Sequence, residues 1–119
     1  MLMFTTRRTL GTVALTLVGI ALSLPAAAQD AAAVTKGQQV YTAQKCSVCH
    51  QIAGKGNKAN PLDTVGTKLS ADDIKQWITH PADAAAKAKS TKKPPMPAKY
   101  GSLPPADLDA LVAYMQSLK

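Results

Sequence analysis

The last segment of the chain carries apolar residues at intervals of three and four positions. Such spacing places side chains on one face of an α-helix, where they can pack against a core. Pro104 and Pro105 precede the pattern, and proline is favoured at the first helical position because its missing N–H would have no partner there. The sequence therefore predicts a C-terminal helix with a buried stripe of Leu108, Leu111, Val112, Met115 and Leu118.

A central helix is predicted from its start signals. Ser70 is a favoured N-cap residue, Asp73 stands at the third helical position as in a capping box, and Leu69 can pack on Ile74 as a hydrophobic staple. Pro81 ends this helix or begins a new turn. The predicted stripe is Ile74, Trp77 and Ile78.

An earlier helix is predicted from Thr35, as its cap, to about Lys45. Residues 51–68 are rich in Gly, Asn and Pro and predict a long loop, whereas the Ala- and Lys-rich residues 82–93 favour a short helix. No segment alternates like a strand. The predicted fold class is all-α, with three to four short helices and long loops; the stripe of the first helix is Gly37, Val40, Tyr41 and Gln44.

The first residues of the chain are typical of an export signal. Arg7 and Arg8 precede an apolar run over about residues 10–24, and small alanines follow at 26–28. The run is shorter than the roughly 20 residues of a membrane-spanning helix, which favours cleavage after Ala28 over a retained anchor. We expect removal of residues 1–28, a flexible lead-in over residues 29–34, and a folded domain over residues 35–119 that is soluble in the periplasm without stable membrane insertion.

The predicted mature domain has few large side chains with which to build a core. It loses Phe4, the single phenylalanine, keeps one Trp and three Tyr, and has a net charge of +5 once Arg7 and Arg8 are removed from the +7 of the full chain. A small domain buries a modest share of its surface. A disulfide between the two cysteines would close only a very short loop, so we expect something else to complete the interior.

Both cysteines and one of the two histidines fall in the string Cys46-Ser47-Val48-Cys49-His50. In an exported protein, C-x-x-C-H is typical of covalent haem attachment. The two thiols can form thioethers with the two vinyl groups of a porphyrin, and His50 can bind the iron. The motif therefore predicts one haem c, attached through Cys46 and Cys49.

Two other interpretations of the thiol pair carry less support. A zinc site could use both cysteines, His50 and His80, but structural zinc normally takes two well-separated ligand pairs. A thiol-disulfide exchange centre would follow a strand in a βαβ pattern, and the sequence lacks that pattern.

The second axial ligand of the iron decides between electron transfer and an open site. Met96 stands among three prolines in a lysine-flanked loop and belongs to no helical stripe, so we expect it to bind iron; an exposed loop methionine is the alternative. Met115 is expected to fill the core, and His80, before Pro81 at a helix end, to be a surface or capping group. Methionine opposite histidine raises the reduction potential.

These features resemble class I c-type cytochromes, small monohaem proteins of the bacterial periplasm. The resemblance covers nearly all of residues 35–119 and rests on the C-x-x-C-H string, Pro61-Leu62, Met96-Pro97 and the closing residues 108–115. It implies a cytochrome c-like fold wrapped around one covalently bound haem, with the first and last helices crossing. The residues that would meet at the crossing are Gly37, Tyr41, Leu111 and Tyr114.

The resemblance also implies roles for Pro61 and Trp77. The carbonyl of Pro61 would accept a hydrogen bond from the ring N–H of His50 and so orient the imidazole. In many members one residue separates this proline from the following leucine, whereas here Pro61 and Leu62 are adjacent. Trp77 would pack on the haem or donate its indole N–H to a propionate; a plain core role is the alternative.

The predicted function is one-electron transfer between redox partners, without catalytic residues, because iron with both axial positions filled changes valence without rebuilding its shell. A haem subunit or domain of a larger oxidoreductase, or a five-coordinate haem sensor or peroxidase-like protein, is the alternative. We expect a monomer whose lysines near Met96 steer an acidic reductase, oxidase or dehydrogenase, against a merely solvated surface. Nucleic acid is not expected, because no aromatics alternate with the basic residues. The lysines concerned are Lys87, Lys89, Lys92, Lys93 and Lys99.

Overall fold

The computed structural model describes residues 26–119, so most of the predicted export signal lies outside the described residues. Their elements, in chain order, are α1 (Ala26–Ala43), β1 (Gln51–Ile52), β2 (Lys55–Gly56), α2 (Val65–Lys68), α3 (Ala71–Thr79), α4 (Pro81–Lys87) and α5 (Pro105–Ser117), with short 3-10 turns at Cys46–Val48 and Ala98–Ser102. The predicted all-α class is confirmed, since the small antiparallel pair of β1 and β2 is the only sheet in this part of the chain. None of these helices has the length and apolar content that crossing a bilayer requires.

The first helix does not start at Thr35, because α1 already includes the described residues before it, from Ala26 onward. The hydroxyl of Thr35 donates to the carbonyl of Ala31 at 3.0 Å, as a threonine inside a helix does, so this residue does not act as a cap. Alanine has the highest helix propensity, and Val34 packs against the core. Residues 29–34, predicted as a flexible lead-in, therefore belong to α1.

The start of α3 agrees with the sequence. Ser70 is its N-cap and accepts a hydrogen bond from the backbone N–H of Asp73 at 3.1 Å. Pro81 begins α4 directly after α3 ends at Thr79, so the chain bends at this proline and continues as a second short helix. Ile74 and Ile78 are buried, while Trp77 on the same face is half-buried.

The core forms where α5 packs against α1 and α3. A Cβ atom on Gly37 would collide with the carbonyl of Ala110 and with Cβ of Tyr114, so glycine permits the close approach of α1 to α5. The rings of Tyr41 and Tyr114 meet edge to face, with centroids 5.8 Å apart and planes at 80°. This contact confirms the predicted crossing at Tyr114. The core cluster comprises Val40, Ile74, Ile78, Leu108, Leu111, Val112, Tyr114 and Met115.

The loop predicted over residues 51–68 is partly ordered by backbone hydrogen bonds. It contains β1, β2 and α2, elements too short to show a sequence period. The N–H of Gly66 donates to the carbonyl of Leu118 at 2.8 Å, and the Lys119 ammonium donates to the carbonyl of Gly66 at 3.0 Å. These bonds dock α2 on the end of α5 and so fix the loop beside the core.

We predict that Gly37→Ala lowers the free energy of unfolding of the haem-loaded protein by about 1–3 kcal/mol, because the added methyl forces α1 away from α5. Urea unfolding followed by circular dichroism measures this change. Gln39→Ala, on an exposed position of the same helix, is the control and should stay within about 0.5 kcal/mol of the parent. A Gly37→Ala protein as stable as the control would contradict the close packing.

Candidate functional site

A cavity of about 750 Å³ opens beside the core, within the usual range for cofactor pockets. Three segments surround it: the motif turn (residues 45–50), the asparagine loop (residues 57–62) and the methionine loop (residues 90–97). Ile74 and Ile78 of α3 and Leu111 of α5 form part of its apolar wall. The lining includes all six predicted site residues, Cys46, Cys49, His50, Pro61, Trp77 and Met96.

His80 does not line this cavity. It is exposed at the junction of α3 and α4, and its Nδ1 lies 2.8 Å from Oγ1 of Thr79. Among residues 26–119, no three His, Cys or Asp side chains are grouped so that they could hold a metal ion. The described residues therefore do not form the zinc site that the sequence left open.

A single tight turn arranges the motif residues. The backbone of Lys45 is left-handed, with φ 55°. This conformation turns the chain away from the axis of α1 and leads into the 3-10 turn. The carbonyl of Cys46 then accepts the N–H groups of both Cys49 and His50, at 3.1 and 3.0 Å. The turn brings the two cysteines and the histidine to one wall of the cavity.

The asparagine loop supports the motif turn from behind. The N–H of Asn57 donates to the carbonyls of Ser47 and His50 at 3.1 and 3.0 Å, and the side-chain amide of Asn60 donates to the carbonyl of Cys49 at 3.1 Å. Gly56 has φ +101°, and a Cβ atom there would collide with the carbonyl of His50. Only glycine allows β2 to pass this close to the turn.

Nδ1 of His50 lies 3.2 Å from the carbonyl oxygen of Asn60. The prediction that Pro61 supplies this acceptor is wrong by one residue. Gln51 also donates its N–H to Asn60, and Leu62 donates to Gln51, a parallel bridge that holds the Asn60 carbonyl beside the ring. The adjacency of Pro61 and Leu62, where relatives have an intervening residue, fits this shift.

The hydrogen bond determines which ring nitrogen can bind iron. A carbonyl oxygen only accepts, so Nδ1 of His50 carries the proton and Nε2 keeps its lone pair. Burial lowers the pKa of His50, and the Asn60 carbonyl opposes this less strongly. The imidazole is therefore neutral near pH 7, the form that coordinates a metal.

Burial also marks the groups around Cys46. It raises the pKa of the Cys46 thiol, which keeps the thiol protonated. Burial, followed by the neighbouring Cys46 and Tyr114, raises the pKa of Tyr41 to about 12. The hydroxyl of Tyr41 is the one buried side-chain polar atom within residues 26–119 that has no hydrogen-bond partner, and Tyr41 lines the cavity.

The methionine loop contributes a further part of the cavity wall. Met96 is half-buried and packs against the core cluster, unlike the exposed prolines on either side of it. Met115 is buried in the core, as expected, and also borders the cavity. Lys92 donates from its ammonium to the carbonyl of Ala59 at 3.0 Å and so links this loop to the asparagine loop.

Of the five lysines that were expected to surround Met96, three line the cavity and two do not. Lys92, Lys93 and Lys99 line the cavity, and so does Lys45, which sequence reasoning did not include. Lys89 is not part of the lining. Lys87 lies 3.2 Å from the Asp73 carboxylate, where it joins α4 to α3.

Two further contributors escaped the sequence analysis. The spacing of polar residues could not distinguish the carbonyl of Asn60 from that of its neighbour Pro61, because backbone acceptors carry no side-chain signal. Tyr41 was predicted only as a filler between helices. Its position on the face next to Gln44 and the motif was the available signal for a second role at the cavity wall.

These residues fit a covalently attached porphyrin. The cavity supplies an apolar wall, two free cysteines, a neutral imidazole with a free Nε2, and an unpaired buried hydroxyl on Tyr41 that can donate to a group placed there. Histidine nitrogen and methionine sulfur are among the axial donors that bind haem iron. His50 and Met96 are of those types, and both line the cavity.

Residues 34–119 match the family described as Cytochrome c. The chain belongs to this family. Cytochrome c domains carry covalently bound haem c and transfer electrons, so the cofactor and the general function predicted from the sequence are confirmed. The haem c is held through the two cysteines of the motif turn, Cys46 and Cys49.

A curated relative of this cytochrome is the cytochrome c oxidase subunit 2 of Alkalihalophilus pseudofirmus. The two sequences are 29% identical over 93 residues, which cover 71% of this chain and 25% of the relative. The chain thus spans about a quarter of the length of the relative that it matches. No solved structure matches the chain.

We predict that the double substitution Cys46→Ala, Cys49→Ala yields a chain without haem mass that is largely unfolded, because an attached porphyrin would cover the apolar cavity wall formed by α3 and α5. Mass spectrometry and far-ultraviolet circular dichroism measure the two effects. Ser47→Ala, within the same turn but with its side chain exposed, should keep both haem and helix content. A double variant with the helical signal of the haem-loaded protein would contradict the prediction.

Proposed function

We propose that this cytochrome is exported to the periplasm, where it carries single electrons between redox partners as a monohaem protein with His50 and Met96 as axial ligands. The observation that carries the proposal is that these two side chains line one cavity together with the attachment cysteines. They come from segments far apart in sequence, the motif turn and the methionine loop.

The geometry of His50 supports its part in the proposal. Its Nδ1 is engaged by the Asn60 carbonyl, which leaves Nε2 as the coordinating atom and fixes the plane of the ring. Such hydrogen bonds orient metal-binding histidines and raise their basicity.

The environment of Met96 supports the second ligand. A half-buried thioether between prolines, packed on the core, loses little further entropy when it binds iron, because proline restricts the backbone on both sides. With both positions taken, iron has no vacancy for a substrate. The haem then supplies a reversible one-electron couple, and the residues of this chain keep its coordination constant between the two valence states.

Two surface features support contact with a partner: an exposed residue of the motif turn and a group of lysines in and after the methionine loop. Val48, between the two cysteines, is 68% exposed and also borders the cavity, so the cavity reaches the protein surface beside the motif turn. We define Lys92, Lys93 and Lys99 as the lysine patch. No aspartate of the described residues lines the cavity beside the patch, so its positive charge is suited to steer an acidic partner. We propose that the protein acts as a monomer in this encounter.

The matched relative favours a second candidate function. That protein is an oxidase subunit, and the match covers 25% of its length; the second candidate is therefore a haem subunit of a larger oxidoreductase. Purification from the native periplasm separates the two candidates: a shuttle elutes alone, and a subunit elutes with its complex.

We predict that Met96→Ala opens the iron of the haem-loaded protein to added ligands. The oxidised variant should lose the weak thioether-to-iron absorption band and bind cyanide, and the reduced variant should bind carbon monoxide. Its reduction potential should fall, because a thioether favours ferrous iron. Absorption spectroscopy and potentiometry measure these changes.

Met115→Leu is the matched control, since it alters the second methionine at the cavity by a volume-conserving change. It should keep the parent spectrum and lose less than about 1.5 kcal/mol of stability. If Met96→Ala retains the parent spectrum and refuses cyanide, Met96 is not the ligand.

We predict that Lys93→Gln combined with Lys99→Gln slows oxidation of the reduced protein by ferricyanide several-fold at low ionic strength, because the patch attracts this anion. The difference should shrink as salt approaches about 0.15 M, where charges are screened beyond about 8 Å. Stopped-flow absorption measures the rates. The control combines Lys75→Gln with Lys87→Gln, an equal charge change at residues paired with Asp109 and Asp73; equal slowing in both would contradict a local patch.

A further inference from the structure

The side chain of Lys92 links two loops at the exposed mouth of the cavity. Its Nζ donates to the carbonyl of Ala59 at 3.0 Å, and both residues line the cavity from opposite loops. This hydrogen bond is the side-chain link between the methionine and asparagine loops among the described residues. It therefore fixes the position of one positive charge at the edge of the cofactor site.

That charge has no acidic counterpart on the protein side. An ammonium has three N–H donors, and the Ala59 carbonyl uses one of them. The three ion pairs formed within residues 26–119 involve Lys36, Lys75 and Lys87 and not Lys92. The other charged or titratable side chains that line the cavity are Lys45, Lys93, Lys99, His50, Tyr41, Tyr100, Cys46 and Cys49.

We propose that Lys92 binds a propionate carboxylate of the haem, with its remaining N–H groups, while its bond to Ala59 holds it at the cavity mouth. The proposal rests on the proposed function only in placing the haem of this cytochrome in the described cavity. It assigns Lys92 a positioning role distinct from attachment and axial ligation.

Charge and geometry distinguish Lys92 from its neighbours. A haem brings two carboxylates into a lining whose described residues include lysines and no aspartate, and an ammonium forms charge-assisted hydrogen bonds to carboxylate. Lys99 lies over the ring of Tyr100, 5.1 Å from its centroid. No hydrogen bond of the Lys93 ammonium to another described segment is present. Lys92 alone in this group is fixed across the cavity.

The test compares Lys92→Gln with the parent by potentiometric titration of the haem-loaded protein across pH. Ferric haem carries one more positive charge than ferrous haem, so loss of a nearby cation should lower the reduction potential. A cation also lowers the pKa of a neighbouring carboxylate. Its loss should therefore move the propionate-linked inflection of the potential to higher pH.

Two further variants make the result specific. Lys92→Arg keeps the charge and can pair with a carboxylate through two N–H groups, so it should restore both the potential and the inflection. Lys93→Gln removes one charge from the adjacent lining residue and should move the inflection less than Lys92→Gln does.

The outcomes separate the inference from the function beneath it. An inflection that moves further in Lys92→Gln than in Lys93→Gln and returns in Lys92→Arg supports the carboxylate contact. An unchanged inflection, or equal shifts in Lys92→Gln and Lys93→Gln, overturns it even if Lys92→Gln unfolds more easily through loss of the Ala59 bond. Absence of haem mass in the parent protein would instead refute covalent attachment and the proposed function.

Discussion

The fold depends on burial of apolar surface against a porphyrin that is bonded to the chain. Side chains pack directly on one another where α1 and α5 meet, at Gly37 and Tyr114, but on the other side of α5 they face a cavity of about 750 Å³. No large side chain within residues 26–119 is completely buried. Haem c held in this cavity would supply the missing interior, and thioethers to Cys46 and Cys49 would keep it attached. Folding of this sequence thus depends on haem attachment, since burial of apolar area is the main favourable term in folding.

The two walls of the site are held in different ways. The motif turn is fixed by backbone bonds, because the Cys46 carbonyl accepts two N–H groups and Asn57 donates to the turn from behind. The methionine loop makes few backbone bonds and is stiffened by its prolines and by packing of Met96 on the core. If His50 and Met96 both hold the iron as proposed, substitutions in the methionine loop would tune the iron environment while attachment at the motif turn stays constant.

The sequence was sufficient for elements whose signal is local. The stripe of α5, the Ser70 cap and the C-x-x-C-H string are set by side chains within a few positions, and the structure places them as predicted. The helical residues before Thr35 were missed because an alanine-rich segment has high helix propensity without a hydrophobic period to reveal it. The sequence did not indicate that Asn60, and not Pro61, provides the hydrogen-bond acceptor for His50, because this acceptor is a backbone carbonyl. The parallel bridge that includes Gln51 determines which carbonyl lies next to His50. This contact between loops cannot be predicted from residue types.

The cofactor also complements the charge of the cavity wall. The aspartates Asp73, Asp107 and Asp109 pair with lysines on the outer faces of the helices, whereas the lysines at the cavity have no acidic side chain beside them among the described residues. A porphyrin brings carboxylates as well as apolar rings, so the same group that fills the interior also balances this charge.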